Sequence, residues 1–309
     1  MKVHYDIEQL PVFRNAVITI GAFDGVHMGH RQIIDRLKAQ AEAINGETVI
    51  ITFHPHPRKV VSSTILGLRL INTLHEKIEL FRRLGIHHVV VVPFTDAFAN
   101  QPAEEYVKKF LVEKFHPHTI IIGHDHRFGK ERTGDYLLLE KMAAENNYQL
   151  QEIPKQVLDE IAISSTTIRQ SLLSGKIEIA DKLLGYEFFF TGIVVHGNKL
   201  GRKLGYPTAN LKVPDEEKIV PGNGIYAVYA KSEDSNERLK GMMSIGVRPT
   251  VGGKERVIEV NIFDFDEEIY DQHLKVYVKK YLREELKFDN LEELVKQIDQ
   301  DKIDSLKVL

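Results

Sequence analysis

Residues 16–30, AVITIGAFDGVHMGH, contain the turn around which the first half of the chain is organised. An apolar run, Ala16–Ile20, is followed by a glycine, an acid and a second glycine. Two histidines three residues apart then open a pattern typical of a helix. At such a strand–turn–helix junction the backbone can approach a ligand closely, and the helix N-terminus supplies unpaired N–H groups. The stretch therefore predicts a phosphate-binding turn.

The first 153 residues alternate predicted strands with predicted helices. Besides Ala16–Ile20, apolar runs predict strands at Thr48–Phe53, Val89–Val92, Thr119–Ile122 and Gln149–Ile153. Helices are predicted from Gly29, from a capping box at Thr73–Glu76 that Gly85 closes, over Ala103–Phe115 and over Tyr136–Asn146. Such alternation is typical of a parallel sheet, whose ligands bind at the carboxyl ends of the strands.

After Tyr186 the pattern changes, because predicted strands now follow one another without helices between them. They are Phe188–Val195, Gly224–Lys231, Lys240–Ile245, Ile258–Phe263 and Leu274–Val278, with a final helix at Leu291–Ile303. Turns rich in Gly, Pro, Asn and Asp separate them, which is typical of an antiparallel sheet or small barrel. A chain of 309 residues is long for one core, so we expect two domains, 1–185 and 186–309.

Composition excludes several classes of function. A net charge of −3 argues against a dedicated nucleic-acid-binding protein, and the lack of cysteine excludes disulfides, thiol catalysis and cysteine-type zinc sites. Acids interrupt the N-terminal MKVHYDIEQL, so it does not resemble a signal peptide, and no apolar run approaches the length of a membrane span. We expect a cytoplasmic protein that binds neither nucleic acid nor membrane and that self-associates weakly, if at all.

A second phosphate-binding pattern complements the two histidines. His27 and His30 form H-x-G-H, which alone would indicate surface or capping residues but here follows a buried strand. We therefore expect both rings to face the triphosphate of a nucleotide. Downstream, ISSTTIR (residues 163–169) predicts a helix N-terminus with hydroxyl donors and a cation one turn later, and we expect it to complete the same site. The donors are Ser164, Ser165, Thr166 and Arg169.

Two other loops with histidines follow predicted strands. GHDHRFG, residues 123–129, contains three side chains of metal-ligand type, but alternate residues of an extended loop point in opposite directions. We therefore expect Asp125 and Arg127 to contact a substrate rather than a metal. In HPHP, residues 54–57, His56 either contacts the second substrate or belongs to a loop that its prolines stiffen.

In the second half, the loop GNKLGRKLGYPTANL, residues 197–211, has the composition of a phosphate site. Its glycines are Gly197, Gly201 and Gly205, and its cations are Lys199, Arg202 and Lys203. Thr208 and Asn210 lie two residues apart and share one side of an extended chain, and their oxygens suit Mg²⁺. The alternative is a surface turn with a solvated basic face.

One acid interrupts an apolar strand of the second half. Glu259 lies in IEVNIF, residues 258–263, where alternate residues face a core. A buried acid costs free energy unless it is paired. Glu259 is therefore either an edge or solvent-facing residue, or a general base directed into a site, and the pattern does not separate the two.

Together these motifs resemble the bifunctional prokaryotic riboflavin kinase/FAD synthetase family. In the first half the matching motifs are GAFDGVHMGH, TFHPHP, GHDHRFG and ISSTTIR. In the second they are GRKLGYPTANL, PGNGIYAV, SIGVRPT, EVNIFDF with Tyr270, and LREELKF. The ordered set covers essentially the whole chain.

The resemblance implies a fold of the α/β plus β class. A Rossmann-like nucleotidyltransferase domain with a parallel sheet would precede a six-stranded antiparallel β-barrel with a terminal helix. The barrel would phosphorylate riboflavin with ATP to give FMN, and the first domain would transfer AMP from ATP to FMN, giving FAD and pyrophosphate. The implied cofactor is Mg²⁺, and the implied partners are riboflavin, FMN and ATP.

The resemblance also implies roles for individual residues. In the adenylyltransferase, Gly21, Phe23 and Asp24 would line the nucleotide pocket, and His27, Gly29, His30, Ser164, Ser165, Thr166 and Arg169 would hold the phosphates of ATP. His56, Asp125 and Arg127 would lie at the substrate cleft. In the kinase, Gly197, Gly201 and Lys203 would surround ATP and flavin, Thr208 and Asn210 would bind Mg²⁺, Glu259 would be the base, and Arg283 would lie on the flavin side.

Three positions depart from the family pattern. His126 and Val251 stand where phenylalanine is common, and Ser244 stands where asparagine is common. None is expected to touch H-x-G-H, PTAN or Glu259, so we expect both activities to be retained.

Two alternative functions come from other classes. A flavin-sensing regulator could keep the fold and lose a catalytic step, but intact H-x-G-H and Glu259 argue against it. A cytidylyl- or nicotinamide-nucleotide adenylyltransferase could carry an unrelated barrel, and the PTAN loop argues against that alternative.

Overall fold

A computed structural model of the chain describes residues 1–61, 69–153, 164–197, 201, 204–235, 237–250 and 253–309. The chain forms two compact units, Met1–Ser164 and Ser165–Leu309. In the described ranges, no helix has both the length and the apolar character that crossing a membrane requires.

The first unit contains the predicted parallel sheet. Its order is β1-β4-β3-β2-β5-β6, and every neighbouring pair is parallel. The strands are β1 (Lys2–His4), β2 (Val17–Ile20), β3 (Thr48–His54), β4 (His88–Pro93), β5 (Thr119–Gly123) and β6 (Gln149–Ile153). The five predicted strands are confirmed to within one residue at each end. Strand β1 escaped prediction because its three residues are partly exposed and two of them are polar.

Helices pack against both faces of this sheet. They are α1 (Met28–Ala43), α2 (Pro57–Val61), α3 (Leu74–Arg83), α4 (Asp96–Ala99), α5 (residues 103–115) and α6 (Tyr136–Asn146). The capping box of α3 is confirmed, since Thr73 accepts from the Glu76 N–H and the Glu76 carboxylate accepts from the Thr73 N–H. Gly85 follows with φ of 76°, which a residue with a side chain rarely adopts.

The middle of α5 differs from the predicted α-helix. Residues Tyr106–Val112 form a π-helix, in which the Glu113 N–H donates to the carbonyl of Lys108, five residues earlier. The buried side chains of this segment recur every four residues, as in the series 107, 111 and 115. A wider turn keeps a four-residue repeat on one face, and amphipathic spacing alone does not distinguish this geometry from an α-helix.

The second unit contains a closed barrel in the order β10-β11-β8-β7-β12-β9, with every pair antiparallel. Its strands are β7 (Phe189–Val195), β8 (Ala209–Lys212), β9 (Gly224–Ser232), β10 (Leu239–Thr250), β11 (Gly253–Ile262) and β12 (His273–Arg283). Its helices are α7 (Ser165–Leu173), α8 (Ile177–Leu184) and α9 (Leu291–Val308). The α/β plus β class and the six-stranded barrel with a terminal helix are confirmed.

Strand β8 is the barrel strand that local pattern did not predict. It has four residues, two of them Asn210 and Lys212, and it follows a proline and a threonine. Pairing with β7 and β11 holds it in place, so its conformation comes from its neighbours rather than from its own composition. The consequence is that Asn210 lies within the barrel wall.

Candidate active sites

The turn after β2 has a strained backbone. Phe23 and Val26 have φ of 49° and 37°, and Gly25 between them has φ of 92°. A β-branched residue in the left-handed region is an outlier, and such strain clusters at ligand-binding sites. The Val26 N–H donates to the Phe23 carbonyl at 3.1 Å, which closes the turn. Phe23 itself is buried, with its ring 5.1 Å from that of His30.

The two histidines of H-x-G-H lie side by side. His27 is the N-cap of α1, and its Nδ1 accepts from the His30 N–H at 3.4 Å. The rings stack with centroids 3.7 Å apart and planes at 16°. A Cβ at Gly29 would lie 3.2 Å from the His27 ring, so glycine gives this ring its space. The fold thus brings together the two side chains that the motif singled out.

His30 is neutral at pH 7. Burial lowers its pKa well below 6.5, and the charges of His27 and Lys77 lower it further. Its Nδ1 is shielded from solvent and has no hydrogen-bond partner within the described part of the chain. A buried polar atom without a partner is costly, and a bound ligand is one way in which that cost is offset.

Asp24 and Lys77 form a polar layer beneath the turn. Asp24 is buried, and its Oδ1 accepts from the N–H groups of Ile71 and Asn72 at 2.9 and 3.2 Å. Sequence analysis missed Lys77, which donates to the Ala22 carbonyl at 2.9 Å. The available signal was its place four residues before the buried Phe81, on the apolar face of α3.

The loops after β3, β2 and β5 leave the sheet at one edge, because these strands are parallel neighbours. In the first of them, the Nδ1 of His56 accepts from the Arg58 N–H at 3.2 Å, at the start of α2. In the last, Asp125 is exposed, and Arg127 donates to the Asp135 carboxylate at 2.8 Å. The structure therefore gives Arg127 a local partner, and the substrate roles of these residues stay predictions.

His126, which stands where phenylalanine is common, lies in apolar and aromatic surroundings. Its Nε2 is shielded from solvent and lacks a hydrogen-bond partner among the described residues. Burial lowers the pKa of His126 to about 4, a shift that Arg132 reinforces and Asp125 opposes. The ring lies 5.7 Å from that of Phe128, which stacks on Tyr106. A neutral imidazole thus occupies an aromatic environment suited to phenylalanine.

The second predicted phosphate motif begins a helix, as expected. Helix α7 starts at Ser165, Thr166 is exposed, and Arg169 is half-buried on the next turn. Ser164 ends the first unit, and Ile163 lies outside the described residues. That this helix N-terminus completes the H-x-G-H site stays a prediction.

In the barrel, strand register aligns three polar side chains in one row. Glu259 of β11 pairs with Ser244 of β10 on one side and with Asn210 of β8 on the other. The expectation that Ser244 lies away from Glu259 is therefore wrong, because strand pairing places the two residues directly opposite each other. Directly opposite residues of antiparallel strands share a face. Glu259 is therefore not an edge residue, since the barrel pairs its strand on both sides. Its carboxylate accepts from Arg248 at 3.0 Å.

Thr208 lines two pockets, and two residues of this row, Ser244 and Glu259, line one of them. The first, of about 290 Å³, is lined by Glu259, Ser244, Arg248 and Gly201, with an apolar wall that includes Met243 and Phe288. The second, of about 390 Å³, is lined mainly by Val194, Ala209 and residues 265–270. Glu259 therefore lines the first pocket, and Thr208 lies where the first and second pockets meet.

Two further predicted residues contribute to this region. Gly197 lies against the Asn210 amide, and a Cβ at this position would displace that side chain. Arg283 lines the 290 Å³ pocket and donates from Nε and from its terminal nitrogen to both Asp301 oxygens, at 2.7 and 2.6 Å. Asp301 belongs to α9, so the terminal helix fixes the orientation of Arg283. Lys203 and Val251 lie outside the described residues.

Comparisons with known proteins agree over most of the chain. Residues 10–167 match the family model described as FAD synthetase, and residues 184–309 match that of riboflavin kinase. Two relatives are named bifunctional riboflavin kinase/FMN adenylyltransferase. The one from Buchnera aphidicola subsp. Schizaphis graminum is 37% identical, covering 93% of this chain and 92% of its own. The one from Escherichia coli K12 is 34% identical, covering 97% and 94%.

A solved structure has the same fold over the full length. It is described as a macrolide-efflux protein from Streptococcus pneumoniae, is 28% identical, and superposes with a TM-score of 0.85 over 97% of each chain. The arrangement of a parallel sheet followed by a closed barrel is therefore shared with a protein of solved structure.

Replacing His126 with phenylalanine is expected to stabilise the protein increasingly as pH falls. The folded pKa is about 4, whereas an unfolded histidine titrates near 6.5, so the unfolded state binds more protons between these values. His126 therefore lowers the free energy of unfolding as pH drops through this window, by up to about 3 kcal/mol. Urea unfolding at pH 7.5, 6 and 5 measures the difference.

The matched control for this prediction is His75→Phe, at an exposed position of α3. It should leave the pH dependence of unfolding unchanged. A His126→Phe effect of the same size at all three pH values would contradict the prediction.

Proposed function

Because the chain belongs to the bifunctional riboflavin kinase/FMN adenylyltransferase family and carries both activities, we propose that the boundary between its two enzymes falls between residues 185 and 186. This boundary assigns α7 and α8 to the adenylyltransferase, although both helices belong to the second compact unit, Ser165–Leu309. Gly185 ends α8 with φ of 73°, and the first barrel strand begins at Phe189. The nicotinamide-nucleotide and cytidylyl alternatives are wrong, because the two family models cover both halves.

The kinase site is proposed at the row of Ser244, Glu259 and Asn210, and this row carries the assignment. Riboflavin binds in the 290 Å³ pocket, because a general base has to face the hydroxyl that it deprotonates and Glu259 opens into that pocket. The apolar wall suits the flavin ring system. ATP binds in the adjoining 390 Å³ pocket, and its γ-phosphate meets the hydroxyl near Thr208, which lines both.

Phosphoryl transfer to riboflavin needs a base because an alcohol is a weak nucleophile at pH 7. Glu259 accepts the proton of the ribityl 5′-hydroxyl while the oxygen bonds to the γ-phosphorus and ADP leaves. General-base assistance of this kind is typically worth ~10²–10⁴ in rate. Arg248 holds the carboxylate at 3.0 Å and so fixes its orientation.

The residues near this row suit Mg²⁺. Thr208 and Asn210 offer a hydroxyl and an amide oxygen, which are hard donors, and Mg²⁺ is commonly held by few protein ligands together with substrate phosphates. No group of three or more His, Asp or Glu side chains with metal-site geometry occurs in the described ranges, which is compatible with such a sparse site. The ion would neutralise charge on the transferring phosphoryl group.

Adenylyl transfer is proposed at the turn after β2. The FMN phosphate is already anionic, so the reaction needs no base; it needs donors and positive charge that bring two anions together. The hydrogen-bond donors are His27, His30 and the backbone N–H groups around Gly21 and Phe23. The hydroxyls and cation of residues 164–169 are further donors on sequence grounds, and Asp125, Arg127 and His56 are proposed for the FMN side.

The cellular setting is a further part of the proposal. Riboflavin, FMN and ATP are the substrates that the two activities require, and we place the enzyme in the cytoplasm. We propose that any self-association is weak, which sedimentation velocity across a range of protein concentrations tests.

Two substitutions should separate the two reactions. His30→Ala is expected to lower FAD formation from FMN by ~10²-fold or more and to leave FMN formation within about twofold, because it removes a donor from one site only. Glu259→Gln should do the reverse, with a loss of ~10²–10⁴. Chromatography of the flavins formed from riboflavin or FMN measures both. Loss of both reactions in a folded variant would overturn the assignment.

Asn210→Ala should weaken the binding of Mg²⁺ at the kinase site and leave adenylyl transfer unchanged. Removal of one oxygen ligand is expected to raise the Mg²⁺ concentration for half-maximal FMN formation at least ~10-fold, because loss of a residue that only supports a ligand already costs ~10–100-fold in affinity. FAD formation from FMN by the same protein is the internal control. An unchanged Mg²⁺ titration of the kinase would exclude Asn210 as a ligand.

A further inference from the structure

The buried Lys77 has no role in the sites described above. It lies on α3 with a side chain 7% exposed. Its Nζ donates to the Ala22 carbonyl and to the Thr52 hydroxyl, both at 2.9 Å. Thr52 is fully buried in β3, and its own hydroxyl lies 3.3 Å from the same carbonyl. A single ammonium group therefore joins a helix, a strand and the residue that precedes the strained turn.

The charge of Lys77 acts on the groups around the turn. Burial lowers the pKa of Lys77 to about 8, and the nearby carboxylate of Asp24 opposes the shift. Lys77 in turn is one of the causes that lower the pKa of His30. The cation is thus close enough to influence H-x-G-H, although its hydrogen bonds go to other residues.

A buried ammonium is an expensive way to fill this space. Removing a cation from water costs several kcal/mol unless good partners offset it, and an apolar side chain of similar volume is often as stable or more so. The Asp24 carboxylate already accepts hydrogen bonds from two backbone N–H groups, so it does not need Lys77 as a donor. A lysine provides two features that an apolar side chain lacks: the hydrogen bonds from Nζ and a positive charge beneath the turn.

We propose that Lys77 is a positioning residue for adenylyl transfer. It holds the Ala22 carbonyl, and through it the Phe23–Val26 turn, in the conformation that receives the triphosphate of ATP, and it supplies fixed positive charge beneath that site. Donors and charges that are already in place need no reorganisation when charge develops in the transition state. The inference rests on the proposed location of ATP at His27 and His30.

The test compares Lys77→Met with Arg83→Met in the full chain. Arg83 lies on the same helix and pairs with Glu79, and its side chain is 51% exposed. The control therefore also removes one positive charge from α3, but from an exposed position. Lys77→Met is expected to lower kcat/KM for ATP in FAD formation ~10–100-fold. FMN formation by the same protein should stay within twofold. Arg83→Met should leave both reactions within twofold.

The pH profile separates positioning from a structural role. In the unsubstituted protein, kcat/KM for ATP in FAD formation should fall as pH rises through about 8, because Lys77 loses its proton in the free enzyme. The groups that face it are Asp24 and His30, and His30 is neutral throughout this range. The variant should lack this fall, a difference that reduced stability does not produce. FMN formation should not share it.

Three outcomes would overturn the proposal. They are a Lys77→Met protein with unchanged FAD formation, a variant that keeps the fall above pH 8, and an unsubstituted enzyme whose profile is flat from pH 7 to 9.5. The last needs no variant and decides the matter if Lys77→Met does not fold. His30→Ala tests the proposed ATP site separately from the role of Lys77. If His30→Ala abolishes FAD formation while Lys77→Met does not, the ATP site is supported and the positioning role of Lys77 is wrong.

Discussion

The pairing of β11 with both of its neighbours is the constraint on which the kinase site depends. Backbone hydrogen bonds fix the register, so Ser244, Glu259 and Asn210 form one row across three strands. A shift of one residue would move Glu259 to the opposite face of the barrel. Because the barrel is closed, neither side of β11 is free to slip, and an acid can be held at a pocket without being at an edge.

The adenylyltransferase depends on a related constraint at the end of a parallel sheet. The polar side chains proposed for this site follow the carboxyl ends of the strands, and the order of β3, β2 and β5 collects three loops at one edge. The turn after β2 is strained at Phe23 and Val26, so surrounding contacts have to maintain it. Asp24 and Lys77 supply those contacts from below, while His27 and His30 stack above.

Local pattern predicted the elements whose own residues specify them. Strands β2 to β5 are apolar runs, and α3 carries its capping box in four residues, so these were confirmed closely. The short strands β1 and β8 were missed because their neighbours impose their conformation. The same holds for the π-helical part of α5, where a four-residue apolar repeat suits two helix types. The sequence revealed the site motifs through their residue types and their order, but it did not reveal which residues their side chains contact.

The sequence by itself determined the two-part architecture, the H-x-G-H and PTAN motifs, and the family, because spacing and order are properties of the chain. Only the tertiary structure decided which groups meet. It paired Glu259 with Arg248 and gave Arg127 to Asp135. It also brought Lys77 into contact with Ala22, 55 residues earlier in the chain. These outcomes depend on contacts between distant segments. The helical pattern places Lys77 on the apolar face of α3, but it does not show which distant groups the side chain meets there.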